Sequence, residues 1–372
     1  MNFYSELNEN LLRETKNHFV DNYDFMSHGI NINTKKKLAL KVKSLIFSPF
    51  IFKYFTSKKI VFEKLILERI LKMNSYMEGI SKMYDRLADE NSRQLLIKIV
   101  SFRIMGNEKV KLPYHSDTYW SDLDKLKSNR DEENFITLNF KPWKLYYHDL
   151  NPYNLDIKLF YTTHRTYAAL IREHYKYKGD EVIIDVDEGD IVLDLGGCYG
   201  DTALYFSNKV GVSGKVYSFE FIPGSIDIFN TNLELNKALK DTVAIVDKPL
   251  WNESGKKVYF QDQGGASRVS FDEFEGMEGM TMTTTIDQFV KEQNLAGVDF
   301  IKTDIEGAEP FVLEGSIETI KNFKPKLAIS IYHNLDDFTG IINQIDSLNL
   351  GYKFYLGHAS IYASETVLFC KA

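Results

Sequence analysis

Apolar positions along the chain switch period partway. Through residues 35–106, large hydrophobic side chains recur at three- and four-residue intervals, the spacing that lines one face of a helix. Ser75 and Glu78 make a capping-box pattern, and Met77, Ile80, Met83, Tyr84 and Leu87 follow at helical spacing. Asp89-Glu90-Asn91-Ser92 interrupts the run. Leu95, Leu96, Ile99 and Phe102 resume it, and Gly106 offers a stop, so the pattern predicts an antiparallel helix pair. Residues 107–180 are rich in aromatic side chains but hold no single period.

From about Glu181 the pattern becomes short β-branched runs alternating with amphipathic segments. Ile191–Leu195, Val216–Phe221, Val243–Val246, Phe300–Thr303 and Leu327–Ile331 read as buried strands, and 201–210, 224–238 and 310–322 as the helices between them. Such alternation predicts an α/β fold with a mostly parallel sheet and right-handed crossovers. Lys353–Leu356 and Glu365–Phe369 read as a closing antiparallel hairpin. The change of period divides the chain into a mainly helical part (1–140), a connecting region or lid (141–180) and an α/β domain (181–372).

The segment most informative about chemistry is Ile191-Val-Leu-Asp194-Leu-Gly196-Gly197-Cys198-Tyr199-Gly200-Asp201-Thr202, a strand running into a glycine turn and then a helix. Glycines there remove the Cβ atoms that block a ligand from the backbone. The spacing fails the dinucleotide pattern G-x-G-x-x-G, and a phosphate-loop lysine is missing. Asp194 at the strand end suits the aminoacyl end of S-adenosylmethionine and is awkward against a pyrophosphate. The next strand carries Glu220, placed to accept hydrogen bonds from both ribose hydroxyls, the duty of an acidic residue about twenty positions beyond the turn. Gly196, Gly197, Gly200, Asp201 and Thr202 complete the expected cradle. Asp247 is expected to accept from the adenine amino group, with Trp251 or Phe221 against the ring. Gly264-Gly265-Ala266-Ser267-Arg268 reads either as a mobile turn gripping an anion with Arg268 or as a simple hairpin turn.

With these residues in view, the second half resembles the FkbM family of S-adenosylmethionine-dependent methyltransferases. The likeness rests on VLDLGGCYGDTALYF, SFEFIP, FNTNLELN, TTTIDQFV and VDFIKTDIEGAEPFVLEGS, with LAISIYH and SETVLF in the tail. It covers about Glu181 to Ala372, and DFIKTDIEGAE is its most specific part. The resemblance implies a seven-stranded, Rossmann-like methyltransferase sheet with an antiparallel last strand, and O-methylation of a sugar, glycolipid or natural-product hydroxyl.

An alcohol acceptor must lose its proton, and open α/β sheets place ligands at the carboxyl ends of their strands. Asp304 ends the Phe300–Thr303 strand, with Glu306 and Glu309 close behind. Asp304 and Glu306 are candidate ligands for a divalent metal that acidifies the hydroxyl; the competing account has Glu306 and Glu309 bind amides at a helix N-terminus. Asp304, His333 after the strand Leu327–Ile331, and His358 in the loop of the last hairpin are the candidate catalytic groups, either histidine serving as general base. The alternatives to a methyltransferase are a nicotinamide-dependent oxidoreductase or epimerase, and a noncatalytic scaffold that binds S-adenosylmethionine.

Composition narrows the partners. With 45 Lys and Arg against 52 Asp and Glu, the net charge of -7 opposes general nucleic-acid binding, which needs a positive face. The one concentrated basic element, Lys35–Lys59, interleaves lysines with apolar side chains; it reads as a peripheral contact with an anionic membrane or as a solvated rim. Its longest apolar stretch, Leu45–Phe55, is interrupted by Pro49 and Lys53 and is too short to span a bilayer. Two cysteines are too few for a disulfide framework, and the polar start MNFYSELNEN does not read as a secretory leader. A cytoplasmic enzyme is expected, soluble or peripheral to the inner membrane face, acting on a small-molecule, glycan or lipid-linked acceptor, with the helical part shaping the acceptor pocket or a homodimer contact.

Overall fold

The computed structural model describes residues 2–19, 66–141, 143–264 and 267–372. Lys35–Lys59, with its membrane reading, lies outside them. Among the described residues no helix is long and apolar enough to cross a membrane.

The first part contributes α1 (Phe3–Glu14), α2 (Met77–Arg86), α3 (Glu90–Met105) and α4 (Asp117–Asn129). The capping box at Ser75 does not form. Its hydroxyl donates to the Lys72 carbonyl, and the side-chain cap belongs to the next helix, where the Asp89 carboxylate accepts the Ser92 N–H at 2.9 Å. Gly106 ends α3 at φ 82°. The two predicted helices exist, but their main partners lie elsewhere: α2 packs on a C-terminal helix, and α3 on α1 and a sheet strand. Periodicity reports that a helix has a face to bury and says nothing about the surface that buries it.

The aromatic middle of the chain folds into an antiparallel sheet of β1 (Asp131–Thr137), β2 (Lys144–Asp149) and β3 (Lys158–Tyr161). After it come a short helix α5 (Thr163–Thr166), a π-helical turn over Tyr167–Ile171, and a ladder of β4 (Tyr177–Lys178) and β5 (Ile183–Ile184).

The α/β part then runs β6 (Ile191–Leu195), α6 (Asp201–Val210), β7 (Lys215–Phe219), α7 (Pro223–Leu235) and β8 (Val243–Val246). An antiparallel excursion of β9 (Lys257–Gln261), β10 (Arg268–Ser270) and β11 (Gly279–Met282) follows, then α8 (Ile286–Glu292) and β12 (Phe300–Thr303). The chain closes through α9 (Glu309–Glu314), α10 (Ile317–Phe323), β13 (Lys326–Ser330), α11 (Asp337–Asp346), β14 (Lys353–His358) and β15 (Thr366–Lys371). The single helix expected over 310–322 is two, because beyond Gly315 the Ser316 hydroxyl bonds back to the Leu313 carbonyl at 2.9 Å.

Seven strands form the main sheet in the order β14-β15-β13-β12-β6-β7-β8, parallel except for β15. This is the mostly parallel, Rossmann-like arrangement expected. Successive residues of its central strands enter opposite cores: Val192 and Phe300 face one side, Leu193 and Ile301 the other. The first side is covered by α4, the β1–β3 sheet, α6 and α7. The second is covered by α1–α3 and α8–α11, so the N-terminal helices share a hydrophobic core with the sheet. Asn232 on α7 and Asn236, the residue that caps its C-terminus, fasten the small sheet. Asn232 accepts the Phe160 N–H at 2.7 Å, Asn236 accepts the Lys158 N–H at 2.9 Å, and both amides donate back to the same residues' carbonyls. They serve β3 as an edge strand would.

Candidate active site

The carboxyl ends of β6, β7, β12 and β13 converge on one edge of the sheet. There the chain leaves β6 through the glycine turn, with Gly196 at φ 88° and Gly200 at φ 87°. Protein neighbours by themselves require the glycines. A Cβ on Gly196 would lie 2.0 Å from the Asp304 carbonyl oxygen, one on Gly197 2.2 Å from Ser218 Oγ, and one on Gly200 2.3 Å from the Phe229 ring. The turn is thus pressed between β7, β12 and α7.

Asp194 also differs from expectation. It is fully buried, with Oδ2 accepting Thr202 Oγ1 at 2.9 Å and Ser218 Oγ at 2.8 Å, and Oδ1 3.0 Å from the Lys302 ammonium. Lys302 also donates to the carbonyls of Leu195 and Gly196. Ser218, Asp194 and Lys302 lie side by side in register across β7, β6 and β12. Asp194 and Thr202 therefore brace the turn from within: Asp194 Oδ2 accepts both hydroxyls, while its Oδ1 faces the Lys302 ammonium without completing a directed hydrogen bond. Lys302, the one charged residue of the fully buried β12, is the signal for this in the sequence.

Asp201 opens α6. It is 2% exposed, and its Oδ2 has no hydrogen-bond partner among the described residues. Burial pushes its carboxyl up, against the pull of Arg165 and Lys302. Glu220 stands just past β7, where its Oε1 accepts the N–H groups of Phe221 and Ile222, both at 2.8 Å. Burial raises its carboxyl to about 7, with those amides and the Cys198 amide opposing and Asp262 adding to the rise.

The adenine contacts are less well assembled. Asp247 is exposed beyond β8, Phe221 meets Phe260 edge-on at 5.8 Å, and Trp251 is stacked on Phe311 at 4.1 Å with Phe271 at its edge. One face of the Trp251 ring is therefore taken by protein. At the 264–268 turn, Ser267 bonds to Gly264, and Arg268 opens β10 with its guanidinium 4.0 Å from the Phe274 centroid. The hairpin account describes that turn; its residues 265–266 lie outside the described set.

Across the edge, Asp304 is buried among donors. Tyr175 Oη donates to Oδ2 at 2.8 Å and Tyr332 Oη to Oδ1 at 3.0 Å, with Arg165 3.6 Å from Oδ2. Burial works to raise its carboxyl, but Arg165, Lys302, His333 and the Tyr175 bond outweigh it and hold the group at about 2. His333 lies among three carboxylates: Nδ1 is 3.1 Å from Glu309 Oε1, and Nε2 is 3.4 Å from Asp304 Oδ1 and 3.6 Å from Glu306 Oε2. Burial works to lower its pKa, yet Glu309, Asp304 and Glu306 carry it up to about 9. At neutral pH this ring is an imidazolium, which cannot take a proton as a general base. Glu309 is fully buried and accepts the Ile305 N–H at 2.9 Å, the amide-binding role weighed for it. Glu306, at φ 58°, is the exposed member.

His358 is not in a loop. It ends β14, its Nδ1 lies 3.0 Å from Thr366 Oγ1, and burial first, then His174, depress its pKa to about 3. A buried ring of such low basicity, committed to a strand pair, is not placed as a base. What the sequence did not reveal is the contribution of the connecting region. Arg165 pairs with Glu365 at 2.6 Å, and His174 and Tyr175 stack at 4.4 Å, all packed toward Asp304. Their segment has no periodicity, so only its tertiary placement reveals them.

Comparison with known proteins agrees with this architecture. Residues 194–354 match the family described as methyltransferase FkbM domain. A solved methyltransferase FkbM from Methylobacillus flagellatus KT aligns at a TM-score of 0.50 and 18% identity, over 81% of this chain and 60% of that one, which shows the fold. This chain therefore spans less than two thirds of that protein's length. Fibrillarin from Aeropyrum pernix, solved with natively bound S-adenosyl-L-methionine, aligns at a TM-score of 0.36 and 16% identity, over 63% of this chain and 92% of that one. No curated protein matches the sequence. The resemblance carried by the glycine turn and DFIKTDIEGAE thus holds for residues 194–354, the stretch that matches the methyltransferase FkbM domain.

Proposed function

We propose that the chain transfers the methyl group of S-adenosylmethionine to a hydroxyl of a sugar, glycan, lipid-linked or natural-product acceptor. The observation that carries this reading is the apposition of Gly196 and Asp304. The turn that would cradle the cofactor rests on the backbone of the residue that heads the carboxylate–histidine cluster, so the two halves of a transfer site share one wall.

The residues fit the cofactor. Asp201 Oδ2 is buried without a hydrogen bond among the described residues, and the ammonium of a methionine moiety is the kind of donor that satisfies it. Glu220, at the end of the neighbouring strand, is an acceptor for paired ribose hydroxyls. When bound, S-adenosylmethionine supplies a methyl group already activated on a sulfonium. The chain contributes alignment: Lys302, Asp194, Ser218 and Thr202 fix the turn, while Tyr175, Tyr332 and Arg165 fix Asp304 facing the acceptor. Asp304 at about 2 has little affinity for a proton and His333 at about 9 already carries one, so neither serves unaided as the base.

Calorimetry with S-adenosylhomocysteine and with NAD tests the cofactor: binding of the first and not the second is expected. Incubation with labelled S-adenosylmethionine and fractionated glycan, glycolipid and metabolite extracts tests the acceptor. Label appearing in no hydroxyl-bearing fraction, by a protein that binds S-adenosylhomocysteine, would end the O-methylation reading.

A further inference from the structure

We propose that Arg165 binds the carboxylate of the cofactor's methionine end, alongside the ammonium partner Asp201, and so restricts the site to ligands that carry the complete α-amino acid. The inference rests on the methyltransferase reading for the identity of that ligand.

The methionine end of S-adenosylmethionine is a zwitterion, and a buried zwitterion needs a protein partner for each charge. Asp201 supplies the first: it is 2% exposed, and its Oδ2 accepts no hydrogen bond among the described residues. The second must be a cation at the same edge of the sheet with donors left over. Arg165, Lys302 and His333 all act on Asp304 there. Lys302 is committed, since its ammonium faces Asp194 Oδ1 at 3.0 Å and donates to the Leu195 and Gly196 carbonyls. His333 is enclosed by Glu309, Asp304 and Glu306. Arg165 differs. Its Nη1 donates to Glu365 at 2.6 Å, but Nη2 stands 3.6 Å from Asp304 Oδ2, beyond an ordinary N–H···O bond of about 2.7–3.2 Å. Among the described residues no hydrogen bond engages Nη2 or Nε, and the side chain is 30% exposed. Asp304 loses nothing when that guanidinium also serves a ligand, because Tyr175 and Tyr332 donate to its two oxygens.

Two observations set Arg165 against the cofactor turn. Shortly before it in the chain, Tyr161 donates to Cys198 Sγ at 3.5 Å and meets the Tyr199 ring edge-on at 5.3 Å, so the strand that leads into α5 lies on the glycine turn itself. Burial raises the Asp201 carboxyl, and Arg165 is the first of the charges that draw it down, ahead of Lys302. The two groups thus lie in each other's field with no hydrogen bond between them, as an anion and a cation do when each takes one end of a zwitterion. A guanidinium is a planar fork that can meet a carboxylate with two parallel N–H···O bonds, which is the geometry this ligand group calls for. Arg165 belongs to α5 of the connecting region and Asp201 to α6 of the α/β part, so the amino acid end is read by two separate parts of the chain. A ligand without the carboxylate leaves the open donors of Arg165 without a partner.

The test compares ligands by calorimetry on the full-length protein: S-adenosylhomocysteine, its decarboxylated amine, and methylthioadenosine, which lacks the amino acid end altogether. The parent is expected to bind S-adenosylhomocysteine about 10- to 100-fold more tightly than the amine, as the loss of hydrogen bonds between charged groups implies. Arg165→Met should remove most of that ratio and leave the affinity for methylthioadenosine within about threefold of the parent's, a pattern that a merely structural role does not produce. Arg165→Lys keeps a cation beside Glu365 and so protects the fold; it should lower the ratio as well, because an ammonium lacks the fork. Equal affinity of the parent for S-adenosylhomocysteine and the amine, or a ratio unchanged in whichever variant folds, overturns the proposal. The same measurements separate it from the reading beneath it. S-adenosylhomocysteine bound with an unaltered ratio by the variants removes the role of Arg165 alone, whereas a parent that binds none of these ligands removes the methyltransferase reading and this inference together.

Discussion

Replacing Glu220 by glutamine isolates the ribose carboxylate. In the folded protein burial carries this carboxyl from its ordinary 4.5 to about 7, while the backbone N–H groups of Phe221, Ile222 and Cys198 oppose the rise and Asp262 adds to it. The neighbouring Cys198 thiol, pushed up to about 12, stays neutral throughout. Because the folded state holds the Glu220 proton more tightly than the unfolded chain, this group's contribution to stability is complete below about pH 4.5 and is lost as pH rises through about 7. A rise of roughly 2.5 units at about 1.4 kcal/mol each gives roughly 3 kcal/mol. Partial exposure of the group reduces it to about 1–3 kcal/mol. Glutamine keeps the acceptor for the two amides and carries no charge. Urea denaturation of Glu220→Gln against the parent should therefore show the variant more stable by that amount at about pH 8, with the difference gone by about pH 4. Binding of S-adenosylhomocysteine should move the other way. The parent, which must ionise Glu220 to accept ribose hydroxyls, gains about tenfold in affinity from pH 6 to pH 8, and the variant gains nothing. Parallel stability curves for the two proteins between pH 5 and 8 would refute the buried-carboxylate argument.

Lys302→Met leaves Asp194 buried beside only two hydroxyls and is expected to cost about 3–5 kcal/mol; Asp194→Asn added to it should recover much of the loss, both read from denaturation midpoints. Gly196→Ala places a methyl 2.0 Å from a backbone oxygen in a left-handed turn, so a loss of roughly 2–5 kcal/mol and weaker S-adenosylhomocysteine binding are expected; unaltered binding would show that the turn and Asp304 are not coupled. Burial, with the charges of Glu220 and Asp201, holds the Cys198 thiol near 12, so the native protein at pH 8 should resist a disulfide reagent that titrates both cysteines in denaturant.

The sequence by itself determined the layered α/β fold, because each strand of a parallel sheet is a short apolar run bounded by turn residues, and that signal is local. Five strands were legible within a residue or two, as were Gly196, Gly200 and Glu220, whose positions follow from chain geometry at the end of a strand. It also placed Asp304, Glu306 and His333 at one sheet edge, since the strand ends they follow are adjacent. Only the tertiary structure decided what these groups can do. That Asp194 is held by Lys302 and Ser218 emerges only when they are seen beside it on neighbouring strands. His333 reads as a base near neutrality until three carboxylates surround it. His358 reads as a loop residue until β14 extends to include it. Arg165, His174 and Tyr175 come from a segment without periodicity, whose antiparallel strands are ordered by Asn232 and Asn236 of a distant helix. Periodicity records which face of an element is buried. Proton affinity depends on charges and burial summed over residues far apart in the chain, and that sum exists only once the chain has folded.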